Sequence, residues 1–284
     1  MFIKMNHLDV IERFKSLIGT HHVLTSHWNK LPHTKGWRYG SGSALAVLKP
    51  GKLVEIWKIL EICVEKDFII LMQAANTGLT GGSTPFGNNY DRPVVVINTM
   101  RIDHIHIIKG GNQIVSLAGS TLYSLEKKLK PYGREPHSII GSTSIGASIV
   151  GGVCNNAGGS LVQRGPSYTQ MALYARINKA GNLELVNELG INLGSTPEEI
   201  LENLQNKNYQ ESDIPETDKL CSDNKYSQIV REIEMNSPSR FNSDTRLLYG
   251  ASGSAGKIAV FAVRLDTYIS PKENKVFYVG TNNT

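Results

Sequence analysis

The sequence predicts an α+β fold in two parts, a small α/β subdomain over residues 1–99 and a larger, mainly antiparallel subdomain over residues 100–284. Three observations predict it. Short apolar runs at 44–48, 68–72 and 94–97 enclose one amphipathic helical segment, the strand, helix, strand order of a parallel unit. Beyond residue 99 the apolar runs come in pairs joined by Gly and Asn turns, which is the pattern of hairpins. Each part also carries one glycine-rich stretch, residues 73–85 in the first and 141–159 in the second.

Composition narrows the class. With 284 residues, 40% hydrophobic and 19% charged, the chain can bury a substantial core like an ordinary globular protein. The net charge of +5 suits an anionic ligand or an anionic membrane surface. It forms no basic stripe, which argues against nucleic acid as a partner. Cys63, Cys154 and Cys221 are widely spaced, form no CxxC pair and read as reduced, buried thiols of a cytosolic protein. The opening MFIKMNHLDVIERFKSL lacks the apolar core and cleavage site of a secretory signal. No apolar stretch approaches membrane-spanning length, so any membrane contact is expected to be peripheral.

In order, Leu8, Ile11, Phe14, Leu17 and Ile18 recur at helical spacing up to Gly19 and open the chain on an amphipathic helix. The segment HHVLTSHWNKLPHTKGWRYGSG is irregular. Its His21, His22, His27 and His33 have no carboxylate or Cys at ligand spacing, which argues against a metal. Gly40 and Gly42 form only a partial glycine motif. A strand at 44–48 precedes a helix from 53 to about 66 with Ile56, Leu60 and Val64 on one face. Strands at 68–72 and 94–97 complete the first part. Lys109-Gly110-Gly111-Asn112 joins strands 104–108 and 113–118, Thr121 opens a helix that ends at Gly133, and Ala180-Gly181-Asn182 joins strands 171–177 and 183–186. Thr196-Pro197-Glu198-Glu199 is a helix start with a capping hydroxyl, Pro in the first turn and acids facing the dipole. Residues 206–224 are almost wholly polar and are expected to be a mobile surface excursion. Strands are expected again at 258–263 and 276–279.

The candidate site is built on the two glycine-rich stretches. QAANTGLTGGSTP, residues 73–85, leaves the carboxyl end of a parallel strand, where ligands of such units bind. Ala74, Ala75, Gly78, Gly81, Gly82 and Ser83 are small, so backbone can come close to a ligand and turn its N–H groups onto a phosphate. Gly82 is followed by Ser83 and Thr84 rather than by Lys, which excludes a P-loop. In GSTSIGASIVGGVCNNAGG, residues 141–159, Ser142 or Ser144 is placed to cap a helix beginning near Ile145. Two such loops point to one extended anionic ligand, and a diphosphate-bridged dinucleotide has the length and charge. No GxGxxG opens a helix after a strand, which argues against a Rossmann site.

QAANTGLTGGS, GREPHSIIGSTSIGASIVGGVCNNAGGSLVQRGP and SGSAGKIAVFAVRLDT together resemble the flavin-binding domain of the vanillyl-alcohol oxidase type. Within it the chain is similar, from about Leu8 to Thr281, to the membrane-associated, quinone-dependent D-lactate dehydrogenases. The resemblance implies FAD between the two subdomains. Residues Ala74, Ala75, Asn76, Thr77, Gly78, Gly82 and Ser83 would wrap the diphosphate, Gly141, Ser148 and Gly158 would lie along the ribityl and isoalloxazine side, and Val260 would offer backbone groups to the adenine end. Relatives that attach flavin covalently use a His in the first loop; Asn76 and Thr77 offer none, so binding is expected to be non-covalent. The implied reaction oxidises D-lactate to pyruvate and passes electrons to a membrane quinone, at the cytoplasm or the cytoplasmic face of the inner membrane. The family's substrate pocket, cap and membrane-contacting segments lie C-terminal to this part, and the chain is expected to be truncated before them. Arg134, His137 and Arg164 are the polar candidates beside the flavin, read first as structural, which leaves the catalytic base unassigned.

Two alternatives stay open. One is a non-catalytic FAD-binding fragment or subunit that needs another chain for its substrate site. The other is phosphate-ester chemistry, for which Asp91 is the sole acid close to the first loop in sequence. The flavin subunits of molybdenum hydroxylases and the enolpyruvyl reductase of cell-wall synthesis have similar flavin domains but lack GREPHS and LVQRGP.

Overall fold

A computed structural model describes residues 7–232, 234 and 244–282. Helix α1 (His7–Ile18) buries Val10, Ile11, Phe14 and Ile18 along one face. It leads to β1 (Val23–Leu24) and α2 (His27–Thr34), whose N-terminus is capped by Ser26 accepting from the Asn29 amide. Next come β2 (Ala46–Leu48), α3 (Leu53–Glu65), β3 (Ile69–Gln73) and β4 (Val94–Asn98). The sheet order is β1-β2-β4-β3, with β4 parallel to both neighbours, so β4 enters between the two strands that α3 connects. All five residues of β4 are buried, as expected of a central parallel strand. Burial in α3 pushes the Cys63 thiol up to about 12, which leaves it protonated and inert.

The second sheet is antiparallel. Its strands are β5 (Ile105–Ile108), β6 (Gln113–Leu117), β8 (Ala172–Ile177), β9 (Leu183–Asn187) and β10 (Ala259–Asp266), in the order β5-β6-β10-β8-β9. Between β6 and β8 lie α4 (Leu122–Leu129), β7 (Arg134–Glu135) and α5 (Ile149–Cys154). After β9 come α6 (Pro197–Asn206) and α7 (Tyr226–Ile229), and β11 (Tyr268–Ile269) pairs with β7. Val260 pairs with Tyr174 but Ala262 with Leu173, so Phe261 is an extra residue in β10, a bulge. Strand alternation divides the side chains between two cores, and the bulge puts the successive Phe261 and Ala262 in the same one. Phe261 and Ala262 join α1, α3 and α6 in one, while Val260, Val263 and Leu265 join α4 and α5 in the other. Helix α6 also returns to the first part, with Gln205 accepting from the Leu53 amide at 2.6 Å and Glu198 paired with Lys58.

Three expectations are corrected. Residues 206–224 are packed rather than a mobile excursion: Tyr209, Ile214 and Cys221 are buried, and the Tyr209 hydroxyl lies 2.8 Å from His106 Nδ1. A few spaced apolar anchors hold a segment whose composition is dominated by its wet side. Residues 276–279 form no strand, and all four side chains are exposed, because an apolar run without a pairing partner does not make a sheet. Helix α5 begins at Ile149, not near Ile145, and its cap is Ser148, whose Oγ accepts from the Gly151 amide at 3.1 Å. Residues 143–145 form a 3-10 turn closed by Gly146 in the left-handed region.

Candidate functional site

The carboxyl ends of β3 and β4 are held by a buried amide cluster. Gln73 Nε2 donates to the carbonyls of His33 and Ser83, both at 2.8 Å, and its Oε1 lies 2.9 Å from His33 Nδ1. Asn98 Nδ2 donates to Gln73 Oε1 at 3.1 Å and to the Ala74 carbonyl at 3.0 Å. This cluster fixes where the first loop leaves the sheet. Burial lowers the His33 pKa below the ordinary histidine value, with the Lys49 charge adding to the effect against the hydrogen bond to Gln73.

Beside it opens a cavity of about 370 Å³. Ala74, Ala75 and Asn76 of the first loop and Ile145 and Gly146 of the second line the same cavity. The structure thus brings the two glycine-rich loops together. The remaining walls come from Pro32 and His33 of α2, Lys49 after β2, and Met100 and Arg101 after β4. A second cavity of similar volume shares Pro32, Ala75 and Asn76 and adds Lys35, Gly36 and Trp37.

The loop is shaped by its own side chains. Asn76 sits at φ 56, donates from Nδ2 to the Lys35 carbonyl at 2.9 Å, and accepts from Ser83 Oγ at 2.8 Å. Thr77 and Gly78 follow on its outer side, and Gly78 and Gly82 are exposed. The partial motif at Gly40 and Gly42 proves structural: a Cβ on Gly42 would stand 2.5 Å from the Gly87 carbonyl oxygen, and one on Gly40 2.6 Å from Thr84 Oγ1. These glycines let residues 40–42 back directly onto the end of the loop.

In the second stretch, a Cβ on Gly159 would stand 2.4 Å from the Ile139 carbonyl oxygen, which also accepts from the Ser160 amide at 3.0 Å. Gly141 and Gly158 are exposed, and a Cβ on either would meet nothing within 4 Å. Ser148 is buried as the α5 cap, and the Val260 side chain is buried against the α4 and α5 core. Neither Ser148, Gly141, Gly158 nor Val260 lines either cavity.

Arg134, His137 and Arg164 are committed to the fold. Arg134 donates to the hydroxyl and carbonyl of Thr267. Arg164 pairs with Glu135, donates to the Pro136 carbonyl at 3.0 Å, and stacks over the Tyr268 ring at 4.1 Å. His137 is buried against Tyr268, and desolvation lowers its pKa so that it stays neutral. Asp91 pairs with Arg92 and lines neither cavity.

The residues suit a dinucleotide diphosphate. The first cavity has small residues on two loops, open glycine faces nearby, Lys49 and Arg101 on its wall, and no carboxylate in its lining. Lys49, Asn98, Met100 and Arg101 were not singled out from sequence, His33 was weighed only as a metal ligand, and Gln73 only as the start of the first loop. One signal in the sequence covers them: no Asp or Glu occurs between Glu12 and Glu55, between Asp67 and Asp91, between Asp91 and Asp103, or between Glu135 and Glu184. The segments forming the site exclude acids.

A family model described as an FAD binding domain matches residues 44–181, which include both glycine-rich loops. Residues 44–181 thus form an FAD-binding domain. It is 56% identical over 276 residues to a quinone-dependent D-lactate dehydrogenase of Haemophilus influenzae, covering 97% of this chain and 49% of that one. To the quinone-dependent D-lactate dehydrogenase of Escherichia coli it is 56% identical over 266 residues, covering 94% and 47%. The chain therefore spans about half the length of the curated relatives it matches. Among solved structures it resembles an alkyldihydroxyacetonephosphate synthase with TM-score 0.61 and 11% identity, over 96% of this chain and 43% of that one. It also resembles p-cresol methylhydroxylase with TM-score 0.57 and 12% identity, over 95% and 45%. These two likenesses establish the fold alone.

Proposed function

We propose that the chain is the flavin-holding part of an FAD-dependent dehydrogenase that oxidises D-lactate to pyruvate and delivers the electrons to a membrane quinone. The observation that carries this reading is the 56% identity across 97% of the chain to a quinone-dependent D-lactate dehydrogenase. FAD lies between subdomains 1–99 and 100–284. Ala74, Ala75, Asn76, Thr77, Gly78, Gly82 and Ser83 surround the diphosphate with backbone amides, Gly141, Ser148 and Gly158 line the ribityl and isoalloxazine side, and Val260 meets the adenine end. Binding is non-covalent, since no histidine stands in residues 73–85 and the cavity's His33 is tied to Gln73.

The bound flavin supplies the two-electron acceptor chemistry. The chain supplies position. The amide cluster of Gln73 and Asn98 fixes the loop, α5 with its Ser148 cap fixes the second stretch, and the bulge at Phe261 alters backbone pairing next to Val260. No helix among the described residues is long and apolar enough to cross a membrane; peripheral contact with the quinone's membrane is part of the same proposal.

A second reading is favoured by the engagement of Arg134, His137 and Arg164 within the fold: a flavin module whose substrate groups come from another segment or chain. One experiment separates the two. The purified flavoprotein is titrated anaerobically with D-lactate and, separately, L-lactate. Bleaching by the D isomer alone supports the dehydrogenase reading for this chain. A flavin that stays oxidised with both supports the module, and a folded chain without flavin refutes both.

A further inference from the structure

Lys49 and Arg101 are two cations on the wall of one cavity, and no anion among the described residues pairs with either. Arg101 Nη1 donates to the Lys49 carbonyl at 2.6 Å, and the space a Cβ would take on Gly51 lies 3.0 Å from Arg101 Nη2. The guanidinium is therefore laid along the Lys49-Pro50-Gly51 turn, with glycine leaving room for it. Neither side chain has a carboxylate partner among the described residues. Glu55, the next acid along the chain from Lys49, is spent on the amides of Gly51 and Lys52 at 2.6 and 3.2 Å.

The positive field is felt by the neighbouring histidines. His22 and His33 are both lowered, first by burial, and then by Arg101 and Lys49 at His22 and by Lys49 at His33. The other polar side chains of the cavity carry no negative charge and already have partners: His33, Gln73 and Asn98 bond within one cluster, and Asn76 bonds the Lys35 carbonyl and Ser83 Oγ. An anion in the cavity gains Coulombic attraction from both cations on its wall.

We propose that Lys49 and Arg101 form a cationic clamp at this cavity that selects the diphosphate-bearing flavin, FAD, over a flavin that lacks the ADP half. The clamp rests on the reading that this cavity receives FAD. The backbone amides of residues 74–78 recognise phosphate geometry, and the clamp adds charge. Its contribution is screened by salt because Arg101 is exposed.

The test is equilibrium binding of FAD, riboflavin and ADP to the apo-chain, for the wild type, Lys49→Gln, Arg101→Gln and the double variant. Charge-assisted contacts of this kind correspond to a loss on the order of tenfold in FAD affinity for each cation removed. Riboflavin affinity is expected to stay within about twofold, and ADP to compete with FAD in the wild type but not in the double variant. Arg101→Lys keeps the charge and retains most of the FAD affinity. Equal losses for FAD and riboflavin, or no loss for either, would overturn the clamp. Should the wild type take up neither flavin, the flavin reading fails on its own. The clamp, which rests on that reading, then falls with it, whereas flavin uptake that neither variant alters overturns the clamp alone.

Discussion

Replacing Asn76 separates the two ways in which that residue shapes the first loop. Its backbone is left-handed at φ 56, and its side chain bonds the Lys35 carbonyl and Ser83 Oγ. Asn76→Ala loses both hydrogen bonds, about 0.5–1.5 kcal/mol each. It also places an ordinary Cβ residue in the left-handed region, about 1–2 kcal/mol. The loop is partly exposed, so the lower half applies, about 2–3 kcal/mol in all. Asn76→Gly loses the same bonds without the backbone strain, about 1–2 kcal/mol. At roughly 2 °C per kcal/mol for a chain of this size, the alanine variant should melt about 4–6 °C below the wild type and the glycine variant about 2–4 °C below it. Both should bind FAD more weakly, alanine more so. Asn76→Asp keeps the acceptor for Ser83, yet adds a negative charge where a diphosphate is placed, so its FAD affinity should fall further than its melting temperature suggests. Thermal unfolding followed by tryptophan fluorescence, paired with FAD titration, reads all three. An alanine variant as stable as the glycine variant would refute the strain argument.

Other perturbations reach the second stretch, the core and the acid response. Gly159→Ala drives a methyl into the Ile139 carbonyl and should cost about 1–3 kcal/mol, seen as a lower urea midpoint together with weaker FAD binding. Phe261→Ala empties a fully buried bulge position and should cost about 3–5 kcal/mol in the same assay; a cost below 1 kcal/mol would mean the bulge does not pack as described. Burial lowers His106 from 6.5 to about 4, so the unfolded chain takes up a proton that the folded chain refuses. Stability present above pH 6.5 is therefore lost as pH falls towards 4, by about 3 kcal/mol at most. His106→Gln should flatten the slope of urea midpoint against pH over that window, and an unchanged slope would rule His106 out as its cause.

Much of the fold was legible because its signals are local. The runs at 44–48, 68–72 and 94–97 are β2, β3 and β4, and the Lys109 and Gly181 turns mark the hairpins found. What failed was what depends on partners distant in sequence. Tyr209 is buried against His106, and residues 276–279 form no strand because no strand among the described residues pairs with them. Ser148 rather than Ser142 caps α5 because Thr121 bridges Ser148 and positions the turn. In the site, the small residues of both loops could be found by type, but Gln73, Asn98, Lys49 and Arg101 are ordinary residues made special by the strand ends that gather them. The ligand's charge was legible from the two small-residue loops and the net charge of +5, and the absence of acids from those segments agrees with it.

Flavin uptake is the property on which the site's assignment depends most directly. The measurement is the flavin content of the purified, FAD-reconstituted chain, taken from its visible spectrum, with the flavin then released by denaturant and identified. One FAD per chain, freed intact on unfolding, is the predicted result. A chain that is folded by circular dichroism yet takes up no FAD, or one that holds flavin after denaturation, would contradict it.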